Sequence, residues 1–195
     1  MSIDRRTALL DAAIEQIAAN GVRGMRIQEV AKSAGVSAAL IYHHFGDRAT
    51  LLQAALLHIG QRADAYTQPA DGTAREMLTI VLLDEFQDDA VVQANSAAWG
   101  ELRDTAIFDP SLRPTIVMLT DRWIDDLARY VELGATDGSI NPELDPPTAG
   151  AQLTALAEGL SGRWLIGMLT TEQARSSLAS GVELLLGPPP SLSGQ

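Results

Sequence analysis

The 195-residue chain is 46% hydrophobic and 20% charged, with 25 acidic against 14 basic residues and a net charge of −11; this is the apolar content of a packed chain, long enough for a sizeable core, and not of a disordered one. No cysteine is present, which excludes disulfides, zinc–thiolate sites and thiol catalysis, and the acidic balance argues against indiscriminate binding to nucleic acid. The start carries no apolar stretch of signal-peptide type and no run approaches the roughly 20 apolar residues of a membrane span, so a cytoplasmic protein without membrane contact is expected.

In chain order the periodicity is helical throughout. Leu10, Ala13, Ile14, Ile17 and Ala18 stripe residues 5–19, and Asn20-Gly21 predicts a stop. Residues 27–33 and 38–44 read as two short helices, and 48–65 as a longer one with Leu51, Leu52, Ala55, Leu56 and Ile59 on one side. Thr73-Ala-Arg-Glu76 has capping-box spacing and opens a helix through Phe86. Residues 90–104 form a polar helix anchored by Trp99 and Leu102. Leu112, Ile116, Leu119, Trp123, Leu127 and Tyr130 stripe the next, with Pro114 in its first turn. Gly134 to Pro147 is the longest expected break. A helix from Thr148 to Leu169 follows, and Thr170-Thr-Glu-Gln173 caps a last one that Gly187-Pro188 ends. The fold class is all-α with about nine helices, and residues 188–195 are expected to be a disordered tail.

Charge is unevenly distributed along this array. Residues 1–62 carry seven basic and five acidic side chains, a net +2, whereas the remainder carries seven arginines and twenty acids, a net −13. Such asymmetry lets the N-terminal end meet a polyanion while the body stays away from it.

One constellation is specific. In Ile27–Gly46, Ala31 is small where two helices cross, Gly35 suits a turn that needs positive φ, and Val30, Ala34, Val36 and Ile41 face inward. Ser37 is placed to N-cap the second helix. Ala38 and Ala39 keep its entry end narrow enough for a major groove. In register, these features form a DNA-binding helix-turn-helix. Competing chemistries are poorly supported. Gly159-Leu-Ser-Gly162 misses the nucleophile-elbow pattern by one residue, no phosphate loop or dinucleotide fingerprint occurs, and the three histidines have no ligand spacing. Gly21-Val-Arg-Gly24 lacks the strands of an RNA-binding GXXG loop. No enzyme, no cofactor and no metal site is expected; a purely structural helical module would not need the helix-turn-helix register.

Ala34-Gly35-Val36-Ser37, Ile41-Tyr42-His43-His44-Phe45, Arg48 and Leu51 also resemble the DNA-binding signature of the TetR family of bacterial transcriptional regulators, over residues 6–60. Trp99-Gly-Glu-Leu, the Gly134-to-Asp145 loop and Glu158-Gly159-Leu160 are similar to its BetI-like C-terminal subgroup. The resemblance implies a homodimeric repressor that binds a pseudo-palindromic double-stranded operator and is released by a small-molecule effector. It implies that Gln28, Ala38, Ala39 and His43 lie near base edges or phosphates, and Tyr42 and His44 near phosphates or in helix packing. Phe45 matches a buried aromatic and Asp47 an N-cap. Arg48 matches a first-turn cation that helps the following helix face a phosphate. Arg26 replaces a more usual threonine cap and offers a phosphate contact instead. The expected DNA-binding set is therefore Arg26, Gln28, Ser37, Ala38, Ala39, Tyr42, His43, His44 and Arg48. Because Ala38 and Ala39 offer little hydrogen bonding, readout leans on His43, methyl contacts and DNA shape.

The domain reading is 1–47 for DNA binding and 48–187 for ligand binding and dimerisation, with helix 48–65 connecting them. Leu153, Leu156, Leu160 and Trp164 stripe one late helix and Leu178 and Val182 the next, an arrangement suited to a four-helix dimer interface. Met77, Phe86, Trp99, Met118 and Trp123 are the candidate lining of a pocket for an apolar or aromatic effector.

Overall fold

Nine α-helices and no strand form among the described residues, 5–68 and 71–188 of the computed structural model. They are α1 (Arg5–Gly24), α2 (Ile27–Ser33), α3 (Ala38–Phe45), α4 (Arg48–Tyr66), α5 (Ala74–Leu83), α6 (Ala90–Thr105), α7 (Arg113–Asp137), α8 (Pro146–Leu165) and α9 (Thr171–Leu186). Residues 189–195 of the expected tail lie outside the described residues. The predicted stop at Gly21 is a kink: Gly21 has φ 69° and ψ 167°, and one further turn follows it.

Packing divides the described chain into two units that do not follow sequence order. The first joins the residues up to Asp64 with Asp89–Leu119. In it α1 lies along α6 and packs on α2, which in turn packs on α3. Its core comprises Leu9, Ile14 and Ile17 from α1, Val30 from α2, Ile41 from α3, Leu51 and Leu56 from α4, and Leu102 from α6. Each such burial contributes about 1.5–3 kcal/mol over exposure, so most of α4 and all of α6 stabilise the helix-turn-helix directly.

The second unit joins Ala65–Asp88 with the described residues from Thr120 onward. Here α9 packs on α8 and α5. Phe86 and Trp164 meet edge-to-face at 5.4 Å, and the Trp164 indole donates to Thr171 Oγ1 at 2.9 Å. Arg75 ties α5 to the end of α9 through Glu183 (2.6 Å) and the Gly187 carbonyl (2.8 Å). The Thr73 and Thr170 capping boxes form as read from the sequence.

Two expectations need correction here. The chain does not break at Gly134. α7 continues to Asp137, and Gly134 is present for close approach, because a Cβ there would lie 2.5 Å from Ile140 Cδ1. The stripe assigned to a dimer interface also faces the wrong way. Leu153, Leu178 and Val182 are fully buried, Leu160 and Trp164 nearly so, and Leu156 partly so, all within a single chain. The apolar stripe of each helix fills the unit's own core, and the opposite faces, which include Ala151, Ala155 and Gly159 on α8 and Ser180 and Leu184 on α9, are exposed.

Candidate nucleic-acid interface

The turn between α2 and α3 forms on Gly35, which has φ 67°. Ala31 and Val30 are buried against the core, and the Ala31 carbonyl accepts the Val36 N–H at 2.9 Å. Ser37 N-caps α3, its hydroxyl accepting the Leu40 N–H at 3.3 Å. Ile41 and Phe45 bury the inner face of α3, and the Arg6 guanidinium stacks over the Phe45 ring at 5.5 Å. Anchored on that side, α3 exposes Ala39, Tyr42, His43 and His44 on its other faces. Tyr42 is 49% exposed, which removes its alternative as a core residue. The His43 and His44 rings stand edge-to-face at 5.8 Å. No acidic residue lies in α3.

Gln28 on α2 and Arg26 just before it are both exposed. Arg26 is the N-cap residue of α2 and makes no side-chain cap bond. Ala38 is half-buried and packs against the core, leaving Ala39 as the exposed alanine at the entry of α3.

The start of α4 departs from expectation. The Arg48 guanidinium donates to the Val22 carbonyl and is half-buried, so it is turned to the protein and not outward. Asp47 caps α4 as read, accepting the Thr50 N–H at 2.8 Å. Bonds from the Thr50 backbone and side chain hold its carboxyl below the usual carboxylate range. The Asp47 carboxylate thus satisfies one of the free N–H groups at the start of α4. Arg48 thus ties α4 to the last turn of α1, a role that spacing alone cannot distinguish from the expected phosphate contact.

The residues expected to line an effector pocket are distributed over both units. Trp99 packs on the core of the first unit, and Met118 is exposed there. Met77 and Trp123 are half-buried in the second unit. Phe86 has no exposed surface; its ring is spent on Trp164, so it is a core residue and not a pocket wall.

With the geometry in place, the family can be identified. Residues 9–55 match the model of bacterial regulatory proteins of the tetR family, and residues 74–187 match the C-terminal part of BetI-type transcriptional repressors. The BetI transcriptional regulator of Burkholderia thailandensis is 28% identical over 94% of each chain. The crystal structure of a TetR-family transcriptional regulator from Rhodococcus sp. is 42% identical, with a TM-score of 0.88 over 94% of this chain and 98% of that one. A transcriptional regulator from Saccharomonospora viridis, solved in complex with choline, shares the fold at 23% identity, with a TM-score of 0.80 over 91% of this chain and 95% of that one. The chain belongs to the TetR family, as a helix-turn-helix transcriptional regulator with a BetI-type C-terminal part.

Proposed function

We propose that this regulator is a repressor that binds a pseudo-palindromic operator as a homodimer. The observation that carries the reading is the outward face of α3: Ala39, Tyr42, His43 and His44 stand exposed, free of acidic neighbours on the helix, on a Ser37-capped element held by Ile41 and Phe45. Gln28 and Arg26 extend that face from α2. One short helix contacts too few base pairs for useful specificity, so two copies would read half-sites about 34–36 Å apart. The outward faces of α8 and α9 are the surfaces offered for the dimer. Their small side chains, Ala151, Ala155 and Gly159, permit close helix approach.

The effector reading is a small apolar or aromatic molecule that releases the operator. Met77 and Trp123 remain its proposed contacts, as half-buried side chains of the second unit. A second reading is a cation of the kind bound by the Saccharomonospora regulator. It is favoured by the net −13 after residue 62 and by half-buried Tyr130 on α7, whose hydroxyl pKa is raised by burial and by the nearby Asp126 carboxylate; aromatic faces beside acids suit quaternary ammonium groups. Either ligand must bind one conformation more tightly than the other to act, and a coupling of about 1–3 kcal/mol weakens DNA binding roughly 5–150-fold.

A band-shift titration with duplex DNA, repeated with apolar, aromatic and quaternary-ammonium metabolites, tests the reading. The expected result is a shifted duplex released by one ligand class. By reciprocity, operator DNA then weakens that ligand's binding by the same factor. Failure of the full chain to shift any duplex overturns the proposal.

A further inference from the structure

Both polar ends of one residue, Val22, are held, each from a different helix. Gly21 kinks α1, and Val22 follows directly at the kink. Half-buried Glu101 on α6 accepts that N–H through Oε1 at 2.9 Å. The Arg48 guanidinium on α4 donates to the carbonyl of the same residue. The Val22 side chain is buried in the core of the first unit, to which all these groups belong. Shortly beyond it, Arg26 opens α2 and the two helices that carry the DNA-facing side chains.

Bonds with one ionised partner are stronger than neutral ones, and removing the acceptor leaves a donor near the core without its partner. The grip also accounts for the glycine before Val22 beyond its positive φ: a Cβ on Gly21 would come within 3.0 Å of Glu101 Oε1. Glu101 is an anion and so no ligand for phosphate; whatever it contributes to DNA binding passes through Val22.

We propose that Glu101 is a positioning residue for DNA recognition. With Arg48 it clamps Val22, fixes the angle at which the α2–α3 pair leaves α1, and makes that angle follow the position of α6. This rests on the DNA-binding reading above and assigns it a control point outside the contact face.

The test uses the full chain and, as probe, the duplex that the wild type enriches from random-sequence DNA. Glu101→Leu is expected to bind that duplex about tenfold more weakly or worse, because the competent geometry is less populated. The salt dependence should be unchanged, because no phosphate contact is lost. Hydrogen exchange at the Val22 amide should accelerate while amides of α8 and α9 keep their protection. Glu101→Gln retains an oxygen that accepts the same N–H and should restore most of the affinity. Should the leucine variant be insoluble, Glu101→Asp, one methylene short, should show the same changes in weaker form. Wild-type affinity in Glu101→Leu, or a glutamine variant as weak as the leucine one, overturns the clamp while DNA binding stands. A wild type that enriches no duplex overturns the DNA-binding reading and the clamp with it.

Discussion

Replacing Gly159 with arginine separates folding from dimerisation on α8. Gly159 is exposed, and a Cβ added there meets only Arg163 Nη1, at 3.6 Å. In a single chain the added side chain meets only the Arg163 guanidinium, which donates to the Gly159 carbonyl at 2.7 Å; that like-charge pair costs about 0.2–0.5 kcal/mol, offset by the about 0.5–1 kcal/mol that removing a mid-helix glycine returns. In a twofold dimer seated on that face, the same change brings two added guanidinium groups into a desolvated interface. An unpaired charge buried this way costs about 3–5 kcal/mol, and roughly 3 kcal/mol is already more than a hundredfold in dissociation constant. Sedimentation velocity at micromolar concentration, with far-UV circular dichroism and thermal melting on the same samples, reads both quantities. The expected result is a folded monomer with the helical content of the wild type, a single cooperative melt and weakened operator binding. Leu160→Glu serves as the contrast: Leu160 is only 8% exposed, so its charge enters the chain's own core and should unfold it. A Gly159→Arg protein that sediments as the same dimer as the wild type refutes the assignment of this face.

Ser37→Ala removes the α3 cap and should cost about 1 kcal/mol, seen as faster amide exchange at the start of α3 and a proportional loss of operator affinity. His43→Ala should change which bases are preferred at its position in the half-site, by roughly 1–3 kcal/mol of discrimination; an unchanged preference in a repeated selection excludes His43 as a base reader. Acid should weaken the fold through its caps. The Ala74 N–H bond lowers the Asp137 pKa, and bonds to Thr73 and Thr148 do the same for Glu76 and Asp145. Groups with lowered folded-state pKa stabilise above the ordinary carboxylate range and lose that contribution as pH falls through their folded values. Urea midpoints should therefore drop below about pH 4, and Asp137→Asn should flatten that fall; an Asp137→Asn chain with the wild-type pH profile contradicts the account.

Much of this molecule is legible in the sequence because local chemistry decides it. Ser37, Asp47, Thr73 and Thr170 cap the helices they were read to cap, since the donors they satisfy lie within three residues. Gly35 takes the positive φ its turn requires. What is not legible depends on partners distant in sequence. Gly134 looks like a helix stop, yet it lies inside α7, and its missing Cβ leaves room for Ile140. The α8 and α9 stripes show which faces are apolar and not whether a partner chain or the same chain covers them. Arg48 has the spacing of a phosphate ligand, but its acceptor is a carbonyl 26 residues earlier. Glu101 gave no signal of its role, because the N–H it accepts lies 79 residues away.

Selection of bound sequences from random duplex DNA by the full chain tests the central claim most directly. The account predicts enrichment of an inverted repeat whose half-sites are centred about one helical turn apart or somewhat more, with His43→Ala shifting the preferred bases and Glu101→Leu weakening all of them alike. Enrichment of a single unrepeated site would contradict the dimeric reading, and no enrichment at all would contradict DNA recognition by α3.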